Sequence, residues 1–227
     1  GYKRGKYNFT DILSLNKMGW MVGLQMGLET ALFSITGIMI GWLGSIALAA
    51  HQVMVAISTL GFMIYYGVGA AVSVRVSNYF GRQDLLHVRR TTMAGFHLIL
   101  CLAVCACTVF LFSRELIGYL FTTSEEVIRV VSTLVYILLA YQFGDALQIT
   151  YANSLRGIGD VISMAVISFI GYFLIAMPVC YICGFVLEWG ITGIWIGYPI
   201  GLTLTGVMLC GRYYWKLKTK TQSKEFY

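Results

Sequence analysis

The chain of 227 residues is 58% hydrophobic and only 11% charged, with a formal net charge of +6. Soluble domains carry about 25% charged residues, so this composition excludes an ordinary water-soluble fold and indicates several membrane spans. The positive charge does not point to nucleic acid, because no basic patch is interleaved with aromatics on a soluble face.

The elements follow in chain order. Residues 1–17 are polar and basic and read as a cytoplasmic linker, ending in Ser14-Leu15-Asn16-Lys17. The first predicted span is Met18 to Trp42, with Gly19, Gly23 and Gly27 four apart, a small-residue stripe that suits close approach of another helix. Gln25 and Glu29 share a second, polar face of that helix. The second span, Ile46 to Asn78, exceeds one crossing and predicts tilt or a kink near Gly61, Gly67 or Gly69. A basic loop over residues 81–90 precedes the third span, Thr91 to Phe112. Leu116 to Phe121 reads as an interfacial turn, and Thr123-Ser124-Glu125-Glu126 as the N-cap of a fourth span that ends near Tyr151. The fifth span, Val161 to Gly184, contains Pro178, a predicted kink. The sixth, Ile191 to Leu217, carries Gly193, Gly197 and Gly201 at the same spacing of four, before a basic tail at 218–227. Residues 18–217 thus read as one all-α integral membrane unit, a bundle of six transmembrane helices.

Cations fix the orientation. Fourteen of the 16 Lys and Arg fall at one set of helix ends, and only Arg114 and Arg129 at the other. By the positive-inside rule both ends of the chain are expected in the cytoplasm.

The fourth span holds the sharpest chemical signal. An ionised carboxylate at a membrane helix centre costs about 2.5–3.5 kcal/mol on insertion scales, so it seldom sits there without a use. Tyr141, Asp145 and Gln148 follow i, i+4, i+7 spacing and share one face. With Glu29 they make two intramembrane carboxyls, each of which must take up a proton or be neutralised by a cation. Either event can couple to an ion gradient, since one charge moved through 100 mV is worth about 2.3 kcal/mol. The bland alternative is a pair of carboxyls locking helix to helix by hydrogen bonds. His51 and His97 lack metal-ligand spacing and read as structural, Arg75 as a snorkelling cation, and the six cysteines, Cys180-x-x-Cys183 included, as packing. No nucleophile, metal-ligand or phosphate-loop constellation is visible, so no enzyme and no cofactor are expected.

Several segments together resemble the multidrug and toxic compound extrusion (MATE) family: Gly41-Trp42-Leu43-Gly44 with Ala47 to Gln52, Gly67 to Val76, Phe80-Gly81, Leu155 to Asp160, and Gly193 to Gly197. They occur in the family's order across nearly the whole chain. The match is to the second lobe, helices seven to twelve of a twelve-helix transporter, and it implies that the linker at residues 1–17 joins the two lobes. The resemblance implies a drug or metabolite antiporter driven by Na+ or H+, alternating between inward and outward access. Its substrates would be small and cationic, and its partner the N-terminal lobe, within the lipid bilayer of a cell's inner (plasma) membrane. It implies a cation site at Glu29 and Asp145 supported by Tyr141, the pattern of the NorM-like branch. Gln25, Gln148 and Gln52 are added as cavity-lining candidates, the first two from helical facing. The chain departs from the family in lacking an early proline in its first span, where Trp20 stands. The first lobe is also missing, and a start at Gly1 is expected of a portion of a longer protein. Competing readings are a lipid-linked precursor flippase of the same superfamily, which would call for a cationic cavity, and a non-transporting scaffold subunit.

Overall fold

The computed structural model describes residues 9–225, and all of its regular structure is helical. Seven helices account for it: α1 (Phe9–Gly41), α2 (Ser45–Gly81), α3 (Leu85–Phe112), α4 (Arg114–Phe121), α5 (Glu125–Gly157), α6 (Val161–Val186) and α7 (Gly190–Glu225). All but α4 are long and apolar enough to cross a membrane, which gives the six expected spans.

Helix ends differ from hydropathy ends. Helix α1 begins at Phe9, so residues 9–17 of the expected linker are helical, and α7 carries on through the expected tail to Glu225. The rest of both segments lies outside the described residues. Apolar content marks where lipid stops, whereas the hydrogen-bonded ladder continues for as long as the sequence has no breaker. Helix α5 likewise runs past Tyr151 to Gly157, because Asn153, Ser154 and Leu155 are buried against its neighbours. The Ser154 hydroxyl reaches Thr92 Oγ1 on α3 at 3.1 Å.

Local signals were met unevenly. Asp84 caps α3, its side chain accepting from the His87 amide at 3.1 Å. Ser124 stands at the N-cap of α5 without a side-chain cap bond. Leu116 to Phe121 is a short helix rather than a turn, laying Ile117 and Gly118 against the bundle. Around Pro178, α6 departs from α-geometry: it is π-helical over Ile170–Ala176 and Ile182–Val186, on either side of an α-turn at Met177–Tyr181. A proline removes one i→i−4 bond, and wider turns are one way for a helix to accommodate the loss.

Helix α5 is the axis of the bundle, packed against α2, α3, α4 and α7. Three apolar clusters lie along it. One gathers Trp195, Tyr198, Tyr172, Leu134 and Leu138. A second, toward the basic helix ends, holds Tyr151, Leu155, Met164 and Tyr213, and a third joins Tyr65 and Ile99 to Ala146. Large aromatic residues are prominent among the fully buried side chains, and within a bilayer they contribute by close packing and interhelical hydrogen bonds rather than by transfer from water. The two glycine stripes behave differently. Gly193, Gly197 and Gly201 of α7 lie directly on α6, while Gly19, Gly23 and Gly27 of α1 face no neighbour within 4 Å of where a Cβ would stand. The close approach expected of the α1 stripe is therefore not made within this lobe.

Candidate cation site and access cleft

Helices α1 and α2 diverge to leave a cleft of about 200 Å³ whose wall includes Glu29, Thr30, Phe33, Ser58 and Tyr141. Along the same two helices it adjoins a wider hollow of about 530 Å³, lined by Thr30, Phe33, His51 and Gln52. Of the sequence candidates, Glu29 and Tyr141 therefore sit on one wall, and Gln52, exposed, lines the adjoining hollow.

Glu29 is held from two sides. Gln25, one turn earlier on α1, donates Nε2 to Glu29 Oε2 at 3.3 Å. Tyr172 of α6 donates its hydroxyl to the same oxygen at 3.4 Å, and itself accepts from Gln148 Nε2 of α5 at 2.7 Å. Gln25, Glu29, Tyr172 and Gln148 thus form one chain of hydrogen bonds across α1, α6 and α5. The two glutamines added from helical facing are placed differently: Gln25 bonds Glu29 directly, and Gln148 reaches it only through Tyr172. Both are buried, in a constricted crevice of about 10 Å³ shared with Glu29, Tyr66, Asn153 and Arg156.

Asp145 has a different setting. It is fully buried, one helical turn beyond Tyr141, and is not on the cleft wall. Neither carboxyl oxygen has a hydrogen-bond partner among the described residues. It lies within electrostatic reach of Glu29, as does Tyr141 of both carboxyls. A buried carboxyl without donors is costly, so oxygens placed this way suit a proton or a small cation. Tyr141 also stands edge-on to Phe33, their ring centroids 6.5 Å apart, and Phe33 stacks on Tyr198 at 4.8 Å. The Tyr198 hydroxyl lies 2.5 Å from Thr36 Oγ1, fixing α7 to α1.

Sequence reasoning missed Tyr172. It is one of 15 tyrosines and sits in an apolar run where nothing in spacing singles it out. It also missed the Thr36–Tyr198 tie, which joins residues 162 apart. His51, expected to be hydrogen-bonded and structural, is buried with its ring edge-on to Trp195, centroids 5.8 Å apart, but Nδ1 finds no hydrogen-bond partner among the described residues. His97 is exposed beside Phe96. The six cysteines are free, and among the described residues no cluster of His, Cys, Asp and Glu could hold a metal ion.

Six candidate spans around a polar core that holds two carboxyls describe a multi-pass membrane helix bundle. The chain belongs to the MatE family, whose pattern matches residues 22–182. It is 34% identical over 220 residues to the multidrug resistance protein NorM of Photobacterium profundum, covering 95% of this chain and 47% of that protein. Against NorM of Vibrio cholerae the identity is 33% over 214 residues, covering 92% and 47%. Two solved structures share the fold. The Vibrio cholerae MATE transporter VcmN in its bent form superposes with a TM-score of 0.87 at 15% identity, covering 98% of this chain and 50% of that one. The eukaryotic MATE transporter AtDTX14 gives 0.84 at 20%, covering 96% and 51%. The chain spans about half the length of the curated relatives it matches. Members of this family are transporters and not enzymes.

Proposed function

We propose that this chain is the cation-binding half of a multidrug efflux antiporter, working with an N-terminal lobe in the inner membrane with both chain ends cytoplasmic. The observation that carries the reading is the pairing of Glu29, on the wall of an open cleft, with Asp145, enclosed and without a hydrogen-bond donor among the described residues, within electrostatic reach of each other. The relatives named for multidrug resistance support small drug-like molecules as the cargo class, and we take these to be amphipathic cations. Both intramembrane carboxyls are negative when ionised, which favours cationic cargo over the anionic lipid precursors of a flippase.

In this mechanism Na+ or H+ enters between the two carboxyls, with the Tyr141 hydroxyl as a further oxygen. Neutralised, Asp145 no longer holds an unmatched charge in the core, and Glu29 no longer needs Tyr172 and Gln25. The packing of α1 against α5 and α6 changes, which shifts the balance between inward and outward access. A ligand moves such an equilibrium only by its differential affinity for the two states, and neutralising a buried charge supplies one.

The test is efflux of a fluorescent cationic dye from cells expressing the full-length protein under imposed sodium or proton gradients. Asp145→Asn and Glu29→Gln are each expected to abolish the gradient-dependent part, leaving the protein in the membrane. Efflux that persists undiminished in Asp145→Asn rejects the site. A scaffold role predicts that both substitutions are silent.

A further inference from the structure

A second cavity lies away from this site, between α2 and α3 at the basic end of the lobe, with a volume of about 390 Å³. The two helices run antiparallel, so its residues fall into levels. At the mouth are Tyr79 and His87, then Arg75 from α2 and Arg90 from α3, and deeper in the span Val68, Ala94 and Leu98. Arg75 lies seven residues from Val68, and Arg90 eight from Leu98, so the apolar half extends about 10–12 Å beyond the guanidiniums at 1.5 Å per residue.

Neither arginine at the mouth, Arg75 or Arg90, forms a direct ion pair among the described residues, and both are exposed. Arg90 does lie within electrostatic reach of Asp84. Arg75 reaches Tyr79, donating Nη2 to Oη at 3.5 Å. The carboxylate of the intervening turn, Asp84, is already engaged. Its Oδ2 lies 2.6 Å from His87 Nδ1 while Oδ1 accepts the His87 amide. Arg89 points elsewhere, over the Tyr214 ring at 5.4 Å. Helix α3 is on the outside of the bundle, and Leu98 at the deep end of the groove is 52% exposed.

We propose that this groove is a binding site for one anionic phospholipid, its phosphate held between Arg75 and Arg90 and an acyl chain along Val68, Ala94 and Leu98. Guanidinium groups match phosphate oxygens in geometry and charge, and basic pockets between spans at a membrane face suit acidic headgroups. Two unpaired guanidiniums at the mouth repel the cation of a zwitterionic headgroup, and the nearby carboxylate, Asp84, is engaged by His87, so a net anionic headgroup is favoured. A free phosphate would use the arginines but leave the apolar half of the groove without an occupant. The site does not depend on the cation reading above.

Native mass spectrometry of the intact protein, released from detergent with phosphatidylglycerol or phosphatidylcholine added, tests this. The wild type is expected to retain phosphatidylglycerol over phosphatidylcholine. Arg75→Gln with Arg90→Gln is expected to cut that retention roughly ten- to thirtyfold, at about 1 kcal/mol for each charge, and to leave phosphatidylcholine unchanged. Ala94→Trp, which fills the apolar half and keeps both arginines, is expected to lower phosphatidylglycerol retention as well, and it stands in should the double variant not fold. Equal retention of the two lipids by the wild type overturns the proposal. So does undiminished phosphatidylglycerol binding in the variants, or its displacement by millimolar inorganic phosphate.

Discussion

Two helices carry the same pattern and use it in opposite ways. Gly19, Gly23 and Gly27 on α1 and Gly193, Gly197 and Gly201 on α7 are both small-residue stripes with a period of four. On α7 the stripe is filled: a Cβ at Gly193 would stand 2.2 Å from the Cys183 carbonyl oxygen, and one at Gly197 would stand 2.3 Å from Cys180 Sγ. On α1 the stripe is open and forms, with Trp20, Leu24 and Leu28, a surface of the lobe. A small-residue stripe permits close approach without naming the partner. The α7 stripe reports the packing of this lobe, and the α1 stripe reports a face that the lobe leaves free.

Substitutions can press on that contrast. The largest effect is expected at Gly193→Ala, where the obstruction is backbone and cannot rotate away. Overpacking of this kind costs about 1–3 kcal/mol and occasionally more. The unfolding temperature of the purified protein in detergent should fall by several degrees, and an unchanged value would mean that α6 and α7 are not in register as described. Gly197→Ala should cost about 2 kcal/mol. Much of that should return when Cys180→Ala is added, because the nearest atom there is a side-chain sulfur. Independent, additive effects in that cycle would contradict the contact.

A smaller effect tests how the end of α7 is fixed. Arg212 Nε lies 2.8 Å from Asp160 Oδ2, with Lys216 at 4.0 Å and the Ser163 hydroxyl donating at 2.8 Å. Partial burial alone would push the Asp160 carboxyl up, but the Arg212 bond, the Ser163 hydroxyl and the two positive charges hold it below the usual carboxylate range. A lowered folded-state value means that the stabilisation is full at neutral pH and is lost as pH falls below about 4. Asp160→Asn should cost about 1–2 kcal/mol at pH 7 and flatten the acid side of a stability–pH profile. A profile identical to the wild type would show the cluster to be energetically idle. The smallest effect belongs to Gly23→Ala. With open space around the site and a better helix former in place, stability should change by less than about 1 kcal/mol, upward if at all. Loss of dye efflux in the full-length protein without loss of stability would then identify the open stripe as a working surface.

What could be read from the chain itself follows from how local each signal is. Six spans were legible because hydropathy accumulates over twenty residues, and Asp145 and Glu29 were legible because a carboxyl in such a run is out of place. The placement of Gln25 beside Glu29 followed from turn spacing alone. Partners far apart in sequence were not legible. Tyr172 earns its place by meeting Glu29 from 143 residues away, and Tyr198 by meeting Thr36 from 162. Nor does hydropathy report helix ends, which is why α1 and α7 are longer than their spans. The π-helical turns around Pro178 lay beyond sequence reasoning too, since a proline announces a disturbed helix without stating the form of the disturbance.

The bond from Tyr172 to Glu29 also sets a problem of timing. The chain is made from its N-terminus, so α1 reaches the bilayer before α6 has been synthesised. At about 5–20 residues per second, the 143 residues between the two take roughly 7–30 s. Through that interval the Glu29 carboxyl has Gln25 on its own helix and nothing yet from α6. A nascent span with an incompletely matched carboxyl inserts poorly, so the entry of α1 into lipid is expected to depend on the insertion machinery holding it until the fifth span arrives.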